Sequence, residues 1–292
     1  MSTDYVSQWP EKIEDVPFSR ENLLDLLAGK IPYIRIPGFV SKDIAKKFED
    51  YFSTKVSPYL NVPGPTLLRL GVAQFEFQAF TEEEAKTRPS DVKEQYFDLA
   101  RESWAIHQSV EEVCGNNIWQ EVQAMISAAL YDHNVRVASD GEDRGYFSGI
   151  IRSINDSTPI HCDWSPYDSR TEDWIVNQVL NQVVFNLYLT PFKGGRTEVH
   201  DVQWTPDAMR YRDPESYGYV EGITNGRATA KLTPSVGDLY FFNSRNMHQV
   251  FAVEKEDDRS LPDGRRQRLT MSSFFGQLPK VNGGKQGLIM WS

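Results

Sequence analysis

Apolar residues recur at helical spacing through the first half of the chain and at strand spacing through the second. Ile44, Phe48 and Phe52 fall at i, i+4 and i+8 behind Ser41, whose hydroxyl suits a helix N-cap, so the spacing predicts one amphipathic helix there. A second helical stretch is expected near Asn22 to Leu27. Between the two, Ile34 and Ile36 flank Arg35 and prolines bound the run 31–37, which suits an edge strand. Pro58 to Pro65 reads as a loop. The stretches 91–113 and 118–131 read as helices, because neither Pro nor Gly interrupts them.

After Asp140 the pattern changes to short β segments. The candidates are 146–154, 178–189, 196–204, 228–232, 238–242, 248–253 and 268–275. Turn signals separate them: Gly194-Gly195, Asp213-Pro214, Asn225-Gly226, Pro234 to Gly237, and Pro262-Asp263-Gly264. Short strands punctuated in this way predict a sandwich or barrel. No linker, repeat or low-complexity segment intervenes, so 1–292 is expected to be a single α+β domain. Residues 1–140 form a helix-rich buttress with an edge strand, 141–278 the β core, and 279–292 a C-terminal tail.

Charge and cysteine content narrow the functional classes. Asp and Glu number 41 against 31 Lys and Arg, a formal charge of -10, which argues against nucleic acid because phosphate binding needs a basic stripe. The two cysteines, Cys114 and Cys162, make no disulfide framework. No basic segment followed by an apolar run opens the chain, and no apolar run approaches about 18 residues. The expectation is a cytoplasmic protein with no membrane partner, acting on a small molecule.

The chemistry concentrates in three residues. In Pro159-Ile160-His161-Cys162-Asp163-Trp164 an extended backbone turns His161 and Asp163 to one face and Cys162 to the other. His248 follows in Phe242-Asn243-Ser244-Arg245-Asn246-Met247-His248. Two imidazoles and one carboxylate on one face of a metal leave the opposite face open, the arrangement of non-haem Fe(II) sites that admit a cosubstrate and O2. Zinc also takes two His and a carboxylate in some hydrolases, so the donor types alone do not settle the ion.

A basic strand follows His248. By alternation Arg268, Thr270 and Ser272 share a face. A guanidinium grips a carboxylate in a bidentate fork, and neighbouring hydroxyls add donors. A dicarboxylate such as 2-oxoglutarate could then chelate the metal at one end and pair with Arg268 at the other. Arg266 is the rival anchor on the same face. Arg268 is preferred because the run that follows, Ser272-Ser273-Phe274-Phe275, points to a buried strand.

Taken together, the pattern resembles the Fe(II)/2-oxoglutarate-dependent oxygenase superfamily over roughly Gly149 to Gly276. Residues 240–250 look like the distal-histidine segment of prolyl-hydroxylase-type members. Phe185-Asn186-Leu187-Tyr188 is similar to their strand carrying a 2-oxoglutarate-binding tyrosine, which falls on Tyr188. Ile151-Arg152, Gly194 to His200 and Trp204 look like small-molecule members that include alkaloid halogenases. Those halogenases have Gly in place of the metal-binding carboxylate, whereas Asp163 fills it here, so the resemblance implies the hydroxylating branch. It further implies a double-stranded β-helix, or jelly roll, buttressed by the N-terminal helices. Its cofactors would be Fe(II), 2-oxoglutarate and O2, and 2-oxoglutarate would be decarboxylated to succinate as a substrate C–H bond is hydroxylated, desaturated or cyclised.

Four residues are candidates for touching substrate: Arg152, Trp164, Tyr167 and His200. Arg152 could meet a substrate carboxylate or simply pair with Asp156 or Glu198. For His200 a hydrogen-bonded structural role is preferred over substrate contact, and His107 and His133 are expected to be structural or exposed. The Tyr-rich segment 201–233 suits a lid, and 254–267 a solvated hairpin connection. The favoured substrate is an amino acid or amino-acid-derived natural product. A peptide prolyl-type hydroxylase and a non-catalytic metal- or metabolite-binding jelly roll are the alternatives.

Overall fold

The computed structural model describes residues 7–10, 14–60, 67–258, 261–281 and 283–292. In chain order the elements are α1 (Arg20–Leu27), β1 (Tyr33–Ile36), α2 (Lys42–Phe52), β2 (Ser57–Pro58), β3 (Leu67–Leu70), α3 (Glu82–Thr87), α4 (Val92–Ser103), α5 (Ala105–Cys114) and α6 (Ile118–Ala129). There follow β4 (His133–Val137), β5 (Ile150–Ile154), the single turn α7 (Ser165–Asp168), β6 (Val183–Tyr188), β7 (Thr197–Gln203), β8 (Thr229–Leu232), β9 (Leu239–Asn243), β10 (Asn246–Val250), β11 (Leu269–Gln277) and β12 (Gln286–Trp291).

The strands make two sheets. The larger runs β1-β9-β6-β11-β5-β3-β2 and is antiparallel; β12 pairs with the C-terminal half of β11, and β4 adds to β12 in parallel. The smaller runs β10-β7-β8, also antiparallel. Strand alternation divides the core in two. On β6, Val183, Phe185 and Leu187 join one cluster with Leu23, Phe48, Phe52, Val122 and Ile126 of the helices. Val184 and Tyr188 face the other way and join Val199, Ala230 and Leu232 of the small sheet. The period of 2 thus gives each large-sheet strand a helix-facing side and a side facing the second sheet.

Ser41 caps α2 as its spacing predicts, its hydroxyl accepting from Ile44 N at 3.2 Å, and Ser19 caps α1 in the same way at 3.1 Å. The helix expected over 91–113 breaks at Trp104 into α4 and α5. The strand expected from 146 begins only at Ile150. Before it, Gly149 adopts φ +95°, and a Cβ there would lie 2.5 Å from His107 Cε1 and 2.7 Å from Trp119 Cδ1, so only glycine fits between these rings. Residues 279–292, expected as a tail, carry β12: Leu288, Ile289, Met290 and Trp291 are all buried, and both neighbouring strands use its backbone. β3 and β4 also add to the sheet from outside 141–278. Of the expected loop at 58–65, residues 61–65 lie outside the described residues, as do 259–260 of the connection at 254–267. Among the described residues no helix is long and apolar enough to cross a membrane.

Candidate active site

Residues 158–163 run antiparallel beside β10. His161 and His248 exchange both backbone hydrogen bonds, at 2.9 and 2.7 Å, and Asp163 N donates to Ser244 O at 2.9 Å. The segment is held by these bridges rather than by a full strand. A directly opposed pair brings its side chains together, and the two imidazole centroids lie 4.2 Å apart. One ligand-type atom from each of His161, Asp163 and His248 lies within 4.8 Å of the others, and His248 Nε2 is 3.5 Å from Asp163 Oδ2.

The tautomers follow from the neighbours. His161 Nδ1 lies 2.9 Å from Pro159 O, and His248 Nδ1 lies 2.9 Å from Asn246 O. A carbonyl only accepts, so each Nδ1 carries the proton and each Nε2 presents a lone pair. Burial, with the neighbouring His248, lowers the His161 pKa to about 4, keeping the ring neutral at physiological pH. Burial works against the Asp163 charge, but the adjacent His248 and the nearby His161 and Arg152 outweigh it and hold the carboxyl at about 2. Two neutral nitrogen donors and one carboxylate are what a divalent first-row metal takes, so the donor set fits the group that the sequence implies.

On the inner face of the large sheet, Thr270 of β11 lies between Tyr188 of β6 and Arg152 of β5. Arg268, immediately before β11, is 3% exposed. Its Nη2 donates to the Tyr188 hydroxyl at 3.3 Å, while Nε and Nη1 are buried without a partner. The guanidinium carbon sits 5.3 Å from the Tyr188 ring centroid and 5.9 Å from that of Phe192. Gly195, at φ +61°, passes close to both Phe192 and Arg268, leaving no room for a side chain. Arg266 is different: it is partly exposed, faces Glu256 at 3.5 Å and borders a surface groove with Lys42, Lys46 and Glu49. Of the two arginines, only Arg268 offers a buried fork without an acidic partner among the described residues. Thr270 Oγ1 lies 3.3 Å from Ser272 Oγ, which donates to Asn186 Oδ1 at 2.7 Å.

The remaining candidates scatter. The guanidinium carbon of Arg245 lies 4.6 Å from the Trp164 ring centroid. Tyr167 packs against Trp204 at 4.2 Å and donates to Met209 Sδ, on the 3₁₀ turn at 206–211. His200 does not join the site: Val199 registers with His248, so His200 points to the opposite face of β7, where its Nδ1 meets Thr229 Oγ1 at 2.9 Å. The Tyr-rich segment lies along the metal-site segment, with Tyr219 N donating to Ile160 O at 2.8 Å and Tyr217 lying 5.5 Å from His161, ring to ring. Tyr217 belongs to the segment expected as a lid, whereas Asn186 and Phe192 were not singled out as site residues in the sequence.

No protein-family model matches the chain. It is 30% identical over 248 residues to leucinostatins biosynthesis cluster protein S of Purpureocillium lilacinum, a match covering 84% of this chain and 90% of that protein. It is 25% identical over 300 residues to L-gamma-glutamyl-L-propargylglycine hydroxylase of Streptantibioticus cattleyicolor, covering 96% and 95%. The crystal structure of an N-substituted L-amino acid dioxygenase from Burkholderia ambifaria superposes with a TM-score of 0.56 at 15% identity, covering 94% of this chain and 91% of that one. The same enzyme in complex with alpha-KG gives 0.54. The chain belongs to the Fe(II)/2-oxoglutarate-dependent oxygenase superfamily.

Proposed function

We propose that this protein is an Fe(II)- and 2-oxoglutarate-dependent oxygenase that hydroxylates, desaturates or cyclises at a C–H bond of an amino acid or amino-acid-derived natural product, and that its two facing sheets are a double-stranded β-helix. The observation that carries this reading is the pair of Nε2 lone pairs converging with one carboxylate beside a buried arginine that has no acidic partner.

His161, Asp163 and His248 would hold the metal, which with O2 supplies the oxidising power when bound. Pro159 O and Asn246 O fix both rings in the ligating tautomer. Arg268, steadied by Tyr188, would receive the far carboxylate of 2-oxoglutarate, with Thr270 and Ser272 on the same face. Segment 201–233 would screen the site from water through Tyr217 and Tyr219.

The curated relative that hydroxylates L-gamma-glutamyl-L-propargylglycine supports an amino-acid-derived substrate, and the acidic charge of -10 disfavours nucleic acid. The test is succinate release from 2-oxoglutarate under air with Fe(II), screened against free amino acids, their acyl derivatives and proline-containing peptides. Stimulation by the small molecules and not by the peptides is expected, with the stimulation lost in Asp163→Ala. Stimulation by peptides alone would favour the prolyl-type reading. Purified protein that releases no succinate under any condition would leave only a non-catalytic role.

A further inference from the structure

We propose that Arg152 is the docking point for a substrate carboxylate, so that the substrate presents one free carboxylate to the inner face of the large sheet. This rests on the oxygenase reading for what the site is, but the argument for an anion comes from the arginine itself.

Arg152 lies on β5 opposite Thr270 of β11 and Arg69 of β3. Thr270 also pairs with Tyr188, whose hydroxyl accepts from Arg268, so Arg152 lies on the face of the sheet that carries the Arg268 fork. The Arg152 guanidinium carbon is 5.6 Å from the Phe274 ring centroid, the Tyr59 hydroxyl sits beside it, and its Nε is buried with no hydrogen-bond partner. The residue as a whole is half-buried, but a buried donor left without a partner has a cost and needs a reason.

Asp163 is committed to the metal on the proposed reading, and the other carboxylates that sequence and register offer are occupied elsewhere. Asp156 pairs with Arg265 Nη1 at 2.6 Å. Glu198 meets Arg196 at 3.0 Å and Lys231 at 3.9 Å. Glu76, the buried carboxylate of this region, accepts from Arg69 Nε and Nη2 at 3.1 and 2.8 Å, from Leu60 N at 2.7 Å and from Ala73 N at 2.9 Å, which fills its lone pairs. The neighbouring Arg69 is thereby neutralised, and among the described residues Arg152 pairs with no carboxylate.

The charge balance points the same way. Fe(II), the Asp163 carboxylate, dianionic 2-oxoglutarate and the Arg268 guanidinium cancel. Arg152 then leaves one positive charge, which a monocarboxylate would neutralise. The guanidinium suits a carboxylate because its fork matches two oxygens, and Tyr59 adds a neighbouring hydroxyl.

The test compares N-acetyl-L-leucine, N-acetyl-L-norvaline, L-leucine and L-norvaline with their carboxamides, which have the same shape without the negative charge. Binding is measured by calorimetry on the protein carrying Mn(II) and 2-oxoglutarate, so turnover is not the readout. The acids should bind at least about 10-fold tighter than the amides, as expected for hydrogen bonds to a charged group. Arg152→Gln should erase that preference, and Arg152→Lys should restore part of it. Arg268→Gln, run alongside, should weaken 2-oxoglutarate while leaving the preference for acids. The inference is overturned if acids and amides bind the wild type equally, if no acid in the panel binds, or if Arg152→Gln keeps the preference. It is also overturned if Arg152→Gln weakens 2-oxoglutarate as Arg268→Gln does, because Arg152 would then serve the cosubstrate. Failure of the oxygenase reading shows separately, as loss of 2-oxoglutarate binding to the metal-loaded wild type.

Discussion

Replacing Arg268 separates two effects of opposite sign. In the protein without cosubstrate the guanidinium is 3% exposed and only Nη2 is satisfied, through the Tyr188 hydroxyl at 3.3 Å. Arg268→Met removes a buried charge that lacks a counter-ion, so the unliganded variant should melt at or above the wild-type temperature. Binding should respond the other way. Without the fork, the far carboxylate of 2-oxoglutarate enters a pocket bounded by Tyr188, Phe192 and Thr270 with no charge to meet it. Removing one partner of a buried ion pair costs about 3–5 kcal/mol, equivalent to a loss of roughly 10²- to 10³-fold or more in affinity. Wild-type protein loaded with Mn(II) should rise in melting temperature as 2-oxoglutarate is added, by mass action, and Arg268→Met or Arg268→Gln should hardly respond. Arg266→Gln, whose parent side chain is partly exposed and already faces Glu256, should behave as wild type. The reasoning is refuted if the Arg268 variants bind 2-oxoglutarate within about threefold of wild type, or if Arg266→Gln shows the larger loss.

Two further outcomes concern the buried network behind the sheet. Burial lowers the His107 pKa to about 4, opposed by the hydrogen bond that its Nε2 donates to Ser148 O at 2.7 Å. Between the ordinary value near 6.5 and about 4 the unfolded chain takes up a proton that the folded chain refuses, so stability falls as pH drops through that window, by up to about 3 kcal/mol. Chemical-denaturation midpoints from pH 7 to 4.5 should fall less steeply in His107→Gln than in wild type; parallel slopes would remove His107 from the account. Gly149→Ala places a Cβ against the rings of His107 and Trp119 at φ +95°; it should destabilise by about 2–4 kcal/mol, and a melting temperature within a degree or two of wild type would contradict the packing described.

What could be read in the sequence follows from how local each signal is. The spacing of two between His161 and Asp163, and of two between Arg268, Thr270 and Ser272, states which side chains share a face without any tertiary knowledge. Ser41, Ile44, Phe48 and Phe52 likewise specify α2. No local spacing ties His248 to the pair, since 85 residues separate it from Asp163; its donor type suggested the link, and the family order of the segments supported it. β12 was missed because four consecutive apolar residues at a chain end carry no alternation; a strand buried on both faces looks like a tail. His200 could be read either toward the pocket or as a hydrogen-bonded structural residue, and the register of β7 against β10 with the Thr229 contact agrees with the second, preferred reading. For Arg152, the sequence left Asp156 and Glu198 as possible partners; only the packing shows that Arg265 and Arg196 already hold them.

The most direct test is an anaerobic titration of the metal-free protein, first with Fe(II) and then with 2-oxoglutarate, followed by equilibrium dialysis and visible absorption. The account requires one iron per chain, and a new absorption band that appears only when both are present, since the cosubstrate would share the face of the metal that His161, Asp163 and His248 would leave open. His248→Ala should lose both the iron and the band. Iron retained at full stoichiometry by that variant, or a wild-type spectrum unchanged by 2-oxoglutarate, would contradict the assignment of this site.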